Sequence, residues 1–150
     1  MAISQTLKSY IGKSTKPRVI DVEKNQIRRF AAAIGEDSAI HYDETVAKKA
    51  GYSSIVGPLT FPAALHEVAP LFEELGLNES ATMHQEEEYE YFRPICAGDE
   101  LTITHKVIDL FEKQTPNGVL LFVVIETRGN DKKNKPVFKG RRVVVELKRA

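Results

Sequence analysis

The sequence predicts an α+β domain in which an antiparallel sheet wraps around one long, buried helix. Residues 57–77, GPLTFPAALHEVAPLFEELGL, carry apolar side chains at helical spacing, and Gly76 is placed to end the helix. After residue 78 the chain consists of long strand-like segments separated by turn sequences. Residues 119–127, VLLFVVIET, are apolar on both faces, which predicts a central strand that is covered on each side.

Length and composition indicate one ordinary globular domain. The chain has 150 residues, of which 42% are hydrophobic and 28% charged. Lys+Arg and Asp+Glu both number 21, so the zero net charge gives no electrostatic reason to expect a nucleic acid or an anionic membrane as partner. The single cysteine, Cys96, excludes an internal disulfide and a cysteine-based zinc site. Without a signal core or an apolar run of membrane-spanning length, we expect a cytoplasmic protein.

The elements can be assigned in order along the chain. Residues 1–17 form a polar arm that ends at Pro17, and residues 18–150 form the domain. The domain begins with a short strand, a helix ended by Gly35, and a second short helix that Asp43 caps. Thr60 is the expected N-cap of the central helix, and Pro70 predicts a kink or break within it. These assignments comprise strands at 18–22, 84–92, 101–111, 119–127 and 137–147, and helices at 25–34, 43–50 and 57–77.

One loop carries the residue types that proton transfer needs. Residues 35–41, GEDSAIH, place Glu36, Asp37 and His41 between two helices. A carboxylic acid and an imidazole held on one short loop can act as a proton-transfer pair. The alternative is a capping loop with solvated charges. The other histidines, His66, His84 and His105, stand alone in sequence, and we expect them to be exposed or locally hydrogen-bonded rather than catalytic.

Three blocks of sequence together resemble the MaoC-like acyl dehydratases. They are FAAAIGEDSAIHYDETVAKKAGY, GPLTF and YEYFRPICAGDEL, and the likeness covers residues of about 18 to 147. The branch with the A-type subunits of (3R)-hydroxyacyl-ACP dehydratases, or MaoC dehydratase-like N-terminal domains, is the most similar. This resemblance implies a single hotdog domain, acyl-CoA or acyl-ACP thioesters as ligands, and reversible hydration of a trans-2-enoyl chain to the (3R)-hydroxy form.

The resemblance also implies roles for the residues of the loop. Catalytic members carry an Asp and a His in a Gly-Asp-x-Asn-Pro-Ile/Leu-His pattern, which places the His at His41 and the acid at Glu36. This chain has Glu in place of Asp, Ser38 in place of Asn and Ala39 in place of Pro. A shift of the alignment by one residue would give the acid role to Asp37.

The mechanism implied by the resemblance needs an anion site beside the acid–histidine pair. The backbone around Gly57, Thr60 and Phe61, at the start of the central helix, could hold the enolate-like thioester oxygen. Thr60 serves either as the helix cap or as a pocket contact. No metal and no redox cofactor are expected, because the thioester itself activates the substrate.

Assembly and alternative functions follow from the same resemblance. We expect a homodimer, or a heterodimer with a related hotdog subunit, joined edge to edge with the pocket at the interface. The leading interpretation is an (R)-specific enoyl-thioester hydratase or dehydratase, a hydro-lyase of fatty acid metabolism. The alternatives are a non-catalytic subunit that binds the acyl chain and stabilises a B-type partner, and a hotdog thioesterase.

Overall fold

A five-stranded antiparallel sheet forms one layer of the protein, and the helices pack against one of its faces. The computed structural model describes residues 5–65 and 68–148. The strands are β1 (Arg18–Asp21), β2 (Thr82–Tyr91), β3 (Glu100–Thr115), β4 (Gly118–Asn130) and β5 (Pro136–Lys148), in the order β1-β3-β4-β5-β2. The helices are α1 (Gln5–Lys8), α2 (Lys24–Ala33), α3 (Glu44–Lys49) and α4 (Ala69–Leu75), with 3₁₀ turns at Ala39–His41, Phe61–Ala64 and Glu79–Ala81.

The strand predictions are confirmed, and β4 takes the central place that its apolar sequence indicated. One face of β4 packs Leu121, Val123 and Ile125 into a cluster with α4. The opposite face of β4 buries Phe122 and Val124 against residues of β5. A strand with apolar side chains on both faces is stable only where both faces are covered, which explains its place in the sheet.

The central helix is divided, whereas the sequence predicted one long helix over residues 57–77. The described residues show the 3₁₀ turn Phe61–Ala64 and then α4, and the predicted break near Pro70 is confirmed. Pro70 lies in the first turn of α4, where its missing N–H removes no intrahelical hydrogen bond. His66 and Glu67 lie outside the described residues. Gly76 ends α4 in the left-handed conformation, with φ of 65°.

The two smaller helices lie close to their predicted positions and frame the loop between them. Gly35, with φ of 73°, ends α2, and the Glu36 N–H then donates to the Ala31 carbonyl. Asp43 caps α3 as predicted, because its carboxylate accepts from two backbone N–H groups, those of Thr45 and Val46. The apolar spacing of these two helices predicts that Ile34, Val46 and Ala50 lie on their inward faces, but all three side chains are exposed.

The N-terminal arm is hydrogen-bonded to the sheet in its described part. The Gly12 N–H donates to the Val107 carbonyl, and the Thr15 N–H donates to the His105 carbonyl on β3. Within the described ranges, no helix is long and apolar enough to span a membrane.

Candidate active site

The loop that carries the predicted acid and imidazole is held by its own hydrogen bonds. Glu36 Oε1 accepts from the Ser38 N–H at 3.0 Å, and the Tyr42 hydroxyl donates to the Glu36 carbonyl at 2.5 Å. The chain then forms the 3₁₀ turn that ends at His41. Both ends of the loop are therefore restrained, which reduces the conformational freedom of the backbone that carries the two side chains.

His41 is buried, with 6% of its surface exposed, and its ring orientation is set by the backbone. Its Nδ1 lies 2.6 Å from the Val56 carbonyl oxygen. A carbonyl oxygen can only accept, so Nδ1 carries the proton and donates it. In the neutral ring Nε2 then holds the lone pair, which makes Nε2 the nitrogen able to act as a base.

Glu36 and His41 line one cleft of about 530 Å³. The cleft is mostly apolar, and its other walls come from residues 56–59 and from the end of β2, including Tyr91. Few polar groups in a mostly apolar cleft are typical of small-molecule sites. Asp37, the alternative acid, is exposed and is not part of the cleft wall.

Backbone pairing between two loops builds the part of the cleft wall that contacts His41. The Gly57 N–H donates to the Ile95 carbonyl, and the Ala97 N–H donates to the Ile55 carbonyl, so residues 55–57 and 95–97 run side by side. Arg93 closes this second loop, because its guanidinium binds both Asp99 carboxylate oxygens, at 2.8 and 3.1 Å. The carbonyl of Val56 is thereby held where it meets the His41 ring.

Two of the residues predicted to hold the thioester oxygen, Gly57 and Phe61, have backbone amides that are hydrogen-bonded within the protein. The Gly57 N–H is bonded to Ile95, and the Phe61 N–H donates to the Pro58 carbonyl at 2.8 Å, so neither amide is available as an unshared donor. The Phe61 side chain is also buried in the core against Phe30, so it does not line the cleft. Thr60 stands at the N-cap position, but its side chain makes no capping hydrogen bond.

The turn before Phe61 carries two backbone amides without a partner among the described residues, one of them that of the predicted residue Thr60. The amides of Leu59 and Thr60 make no hydrogen bond to any described residue, and Leu59 lines the cleft. The Tyr91 hydroxyl donates to the Leu59 carbonyl at 2.6 Å and so fixes the peptide group that carries the Thr60 N–H. Sequence reasoning did not identify this contact between Tyr91 and Leu59.

The remaining described histidines are locally bonded, as expected. His84 Nε2 lies 2.7 Å from a Glu87 carboxylate oxygen. His105 Nδ1 lies 2.9 Å from the Thr127 hydroxyl, and burial lowers the pKa of His105 to about 4. Within residues 5–65 and 68–148, no group of three or more His, Cys, Asp or Glu side chains is placed to hold a metal ion.

Comparison with known proteins gives the context for this cleft. Residues 9–140 match the profile of the family described as "FAS1-like, dehydratase domain region". A curated relative, a UPF0336 protein of Clavibacter michiganensis, is 35% identical over 108 residues, which are 69% of this chain and 71% of the relative.

Two solved structures share the fold and support the predicted resemblance. A MaoC-like dehydratase superposes with a TM-score of 0.79 at 26% identity, covering 94% of this chain and 43% of that one. The HadBC (3R-hydroxyacyl-ACP dehydratase) complex of Mycobacterium tuberculosis gives 0.72 at 21% identity, covering 91% and 96%. The hotdog fold and the MaoC-like resemblance are confirmed, and the neighbours support a hydratase or dehydratase kind of function. This chain belongs to the family of FAS1-like dehydratase domain regions.

Proposed function

We propose that this protein is an enoyl-thioester hydratase, or (3R)-hydroxyacyl-thioester dehydratase, with Glu36 and His41 as its proton-transfer pair. The observation that carries the proposal is the 2.6 Å bond from His41 Nδ1 to the Val56 carbonyl, in a cleft that Glu36 also lines. This bond leaves Nε2 as the basic nitrogen, and the acid lies on the same loop. Glu36 takes the acid role because Asp37 is exposed outside the cleft.

Dehydration in this arrangement requires two proton transfers. His41 Nε2 removes the proton from the carbon next to the thioester, and protonated Glu36 gives a proton to the 3-hydroxyl, which leaves as water. Hydration runs through the same positions in reverse, so Glu36 takes a proton from water and His41 returns one to carbon. The Leu59 amide, which has no partner among the described residues and belongs to a residue of the cleft wall, stabilises the negative charge that develops on the thioester oxygen.

The two oxygens of Glu36 have separate tasks. Oε1 accepts from the Ser38 N–H, and this bond holds the longer side chain of Glu in one conformation. Oε2 makes no hydrogen bond to a described residue and is the oxygen that exchanges the proton. The local turn thereby compensates for the methylene that Glu has in excess of Asp.

The cleft lies beside an edge of the sheet at which a second subunit can pair. β2 is an edge strand of ten residues, and its end carries Tyr91, which lines the cleft. An unpaired edge of this length is a surface for pairing with a second sheet. We infer an edge-to-edge dimer of two copies, or of this chain with a related hotdog subunit, in which an acyl-CoA or acyl-ACP thioester enters beside the interface.

The test is hydration of crotonyl-CoA, followed as loss of the enoyl absorbance. Glu36→Gln and Asp37→Asn form a matched pair, because each removes one negative charge from neighbouring residues of the same loop. We expect His41→Ala and Glu36→Gln to lower kcat by roughly 100-fold or more, and Asp37→Asn to retain activity. An equal fall in kcat in Glu36→Gln and Asp37→Asn would contradict the assignment of Glu36 as the acid.

A second candidate is the non-catalytic partner subunit. The observation in its favour is that Glu36 already uses one carboxylate oxygen in a local turn, as a purely structural loop would. A folded protein that hydrates neither short nor long enoyl thioesters, but that activates a hotdog subunit mixed with it, would support this candidate. Release of free CoA without prior hydration would instead indicate a thioesterase.

A further inference from the structure

A short hairpin rich in lysine connects β4 to β5. β4 ends at Asn130 and β5 begins at Pro136, so the connection consists of residues 131–135, DKKNK. Three of these five residues are lysines, whereas the whole chain has as many acidic as basic residues. The positive charge of the protein is therefore concentrated at this turn, and we call residues 131–135 the lysine hairpin.

Hydrogen bonds fix the backbone of the lysine hairpin. Asp131 Oδ1 accepts from the N–H groups of Lys133 and Lys135, at 2.8 and 2.9 Å. Asn134 adopts a φ of 57°, and its side-chain oxygen accepts from the Asn130 amide at 2.9 Å. A surface element with a fixed backbone loses less conformational entropy when it binds a ligand.

Two of the three lysines are not neutralised by a salt bridge. Lys132 Nζ lies 3.4 Å from a Glu100 carboxylate oxygen. Within the part of the chain that the structure describes, neither Lys133 nor Lys135 forms a salt bridge, and both residues are exposed. These two ammonium groups are therefore available to an anion in solution.

The lysine hairpin lies at the mouth of the His41 cleft. Arg93 lines the cleft and interacts electrostatically with Asp131 of the hairpin. Phe92, which is 53% exposed, lines both the cleft and a neighbouring cavity of about 380 Å³. The walls of that cavity include the two residues that flank the hairpin. A ligand that leaves the cleft past Phe92 therefore reaches the hairpin.

The surface around the lysine hairpin is not basic as a whole. In the cavity beside the cleft, Arg128 and Lys139 both pair with Glu126, at 2.7 and 3.5 Å. The strand β2, whose end forms part of the cleft wall, carries three exposed glutamates, Glu86, Glu88 and Glu90. A broad acidic protein surface would meet these glutamates, whereas a compact polyanion can contact the hairpin alone.

We propose that the lysine hairpin binds the phosphate groups of an acyl-CoA, so that the thioester in the His41 cleft is carried by a nucleotide and not by an acidic carrier protein. The inference rests on the proposed function for the position of the thioester. Phosphate oxygens accept charge-assisted hydrogen bonds from ammonium groups such as those of Lys133 and Lys135. The pantetheine arm contains two amide bonds and is about as long as four extended residues, roughly 14 Å. A thioester inside the cleft thus leaves its phosphates outside the mouth.

The first experiment measures binding without turnover. CoA and pantetheine are compared by calorimetry, since they share the arm and only CoA carries the nucleotide with its phosphates. We expect CoA to bind about 10-fold more tightly than pantetheine at low salt, and the difference to shrink as the ionic strength rises. Equal affinities for the two compounds at low salt would overturn the proposal.

A double variant tests the residue assignment. Lys133→Gln with Lys135→Gln removes two charges and keeps the backbone N–H groups that Asp131 accepts from. We expect the affinity for CoA to fall roughly 10-fold and that for pantetheine to stay unchanged. The matched control is Lys113→Gln with Lys148→Gln, which removes two charges at the opposite end of the sheet, beside the turn between β3 and β4. An equal loss of CoA affinity in both double variants would contradict the assignment.

Turnover distinguishes the two kinds of carrier. In the Lys133→Gln, Lys135→Gln protein we expect KM for crotonyl-CoA to rise about 10-fold with kcat retained, because the phosphates are bound equally in the ground state and the transition state. The kinetic constants for crotonyl-pantetheine should not change. A kcat/KM for crotonyl-ACP above that for crotonyl-CoA would reject the nucleotide carrier in favour of an acidic protein.

Failure of the inference can be told from failure of the proposed function. Hydration of crotonyl-CoA and crotonyl-pantetheine with equal kcat/KM would reject the role of the hairpin and retain the enzyme. CoA binding that depends on Lys133 and Lys135, in a protein that hydrates no enoyl thioester, would reject the enzyme and support the hairpin.

Discussion

Gly57→Ala is the substitution that tests the packing behind the cleft most directly. A Cβ added at Gly57 would lie 2.6 Å from Cδ1 and 2.9 Å from Cγ of the Phe61 ring. Separations of carbon atoms below about 3.5 Å are repulsive, and Phe61 is fully buried against Phe30, so its ring has little room to move.

Gly57→Ala is expected to lower stability because the added methyl group overpacks the core. Such changes lower the free energy of unfolding by about 1–3 kcal/mol. For a chain of 150 residues, a fall in Tm of roughly 2–12 °C is expected. The hydratase rate should fall as well, because residue 57 follows Val56, whose carbonyl orients His41.

The assay is thermal unfolding followed by circular dichroism, with Phe61→Leu as the compensating change. Phe61→Leu alone leaves a cavity and should lower stability, but in the Gly57→Ala background it removes the clash and should restore part of the loss. A Gly57→Ala protein as stable as the parent, or two losses that simply add, would refute the close-packing argument.

Three further predictions concern the site and its supports. Tyr91→Phe frees the Leu59 carbonyl and should lower kcat/KM for crotonyl-CoA about 3- to 10-fold with little change in Tm, whereas an unchanged rate would remove Tyr91 from the site. Asp43→Ala deletes the cap of α3 and should lower the free energy of unfolding, measured by urea titration, by about 1 kcal/mol. Asp43→Asn should retain most of this stabilisation, because the Asn side chain can also cap the helix. The folded-state pKa of His105 is about 4 against an ordinary value of 6.5, so the unfolded chain binds more protons between these values and stability is lost as pH falls through this window. At pH 5 the free energy of unfolding is expected to be about 2 kcal/mol lower than at pH 7.5. Urea titrations should show that the free energy of unfolding depends less on pH in His105→Gln than in the parent protein. The same pH dependence in both proteins would contradict the role of His105.

Local sequence was sufficient for most of the elements. Gly35, Asp43 and Gly76 act through their own backbone or through groups a few residues away, so their roles as stops and caps could be read from the chain. The apolar strand over residues 119–127 could also be placed at the centre of the sheet from its own sequence, because it carries apolar side chains on both faces and both must be buried. The loop with Glu36 and His41 was also identified from residue types and spacing.

Other features depend on contacts between distant residues and could not be predicted. The tautomer of His41 is set by a carbonyl, which every residue carries, so no side chain at position 56 signals the bond. The amide of Gly57 was expected to bind substrate, but its pairing with Ile95 depends on how two loops meet. The sequence likewise left Glu36 and Asp37 as alternative acids, and only the fold shows that Glu36 lines the cleft whereas Asp37 does not.

The sequence by itself determined the α+β class, the strand at the centre of the sheet and the loop that holds the acid and the imidazole, because periodicity and turn chemistry are local properties. Only the tertiary structure decided which nitrogen of His41 is basic and that Arg142 on β5 pairs with Glu87 on β2. The first feature arises where two loops meet and the second where two strands far apart in the chain pair in register, so both depend on the whole fold.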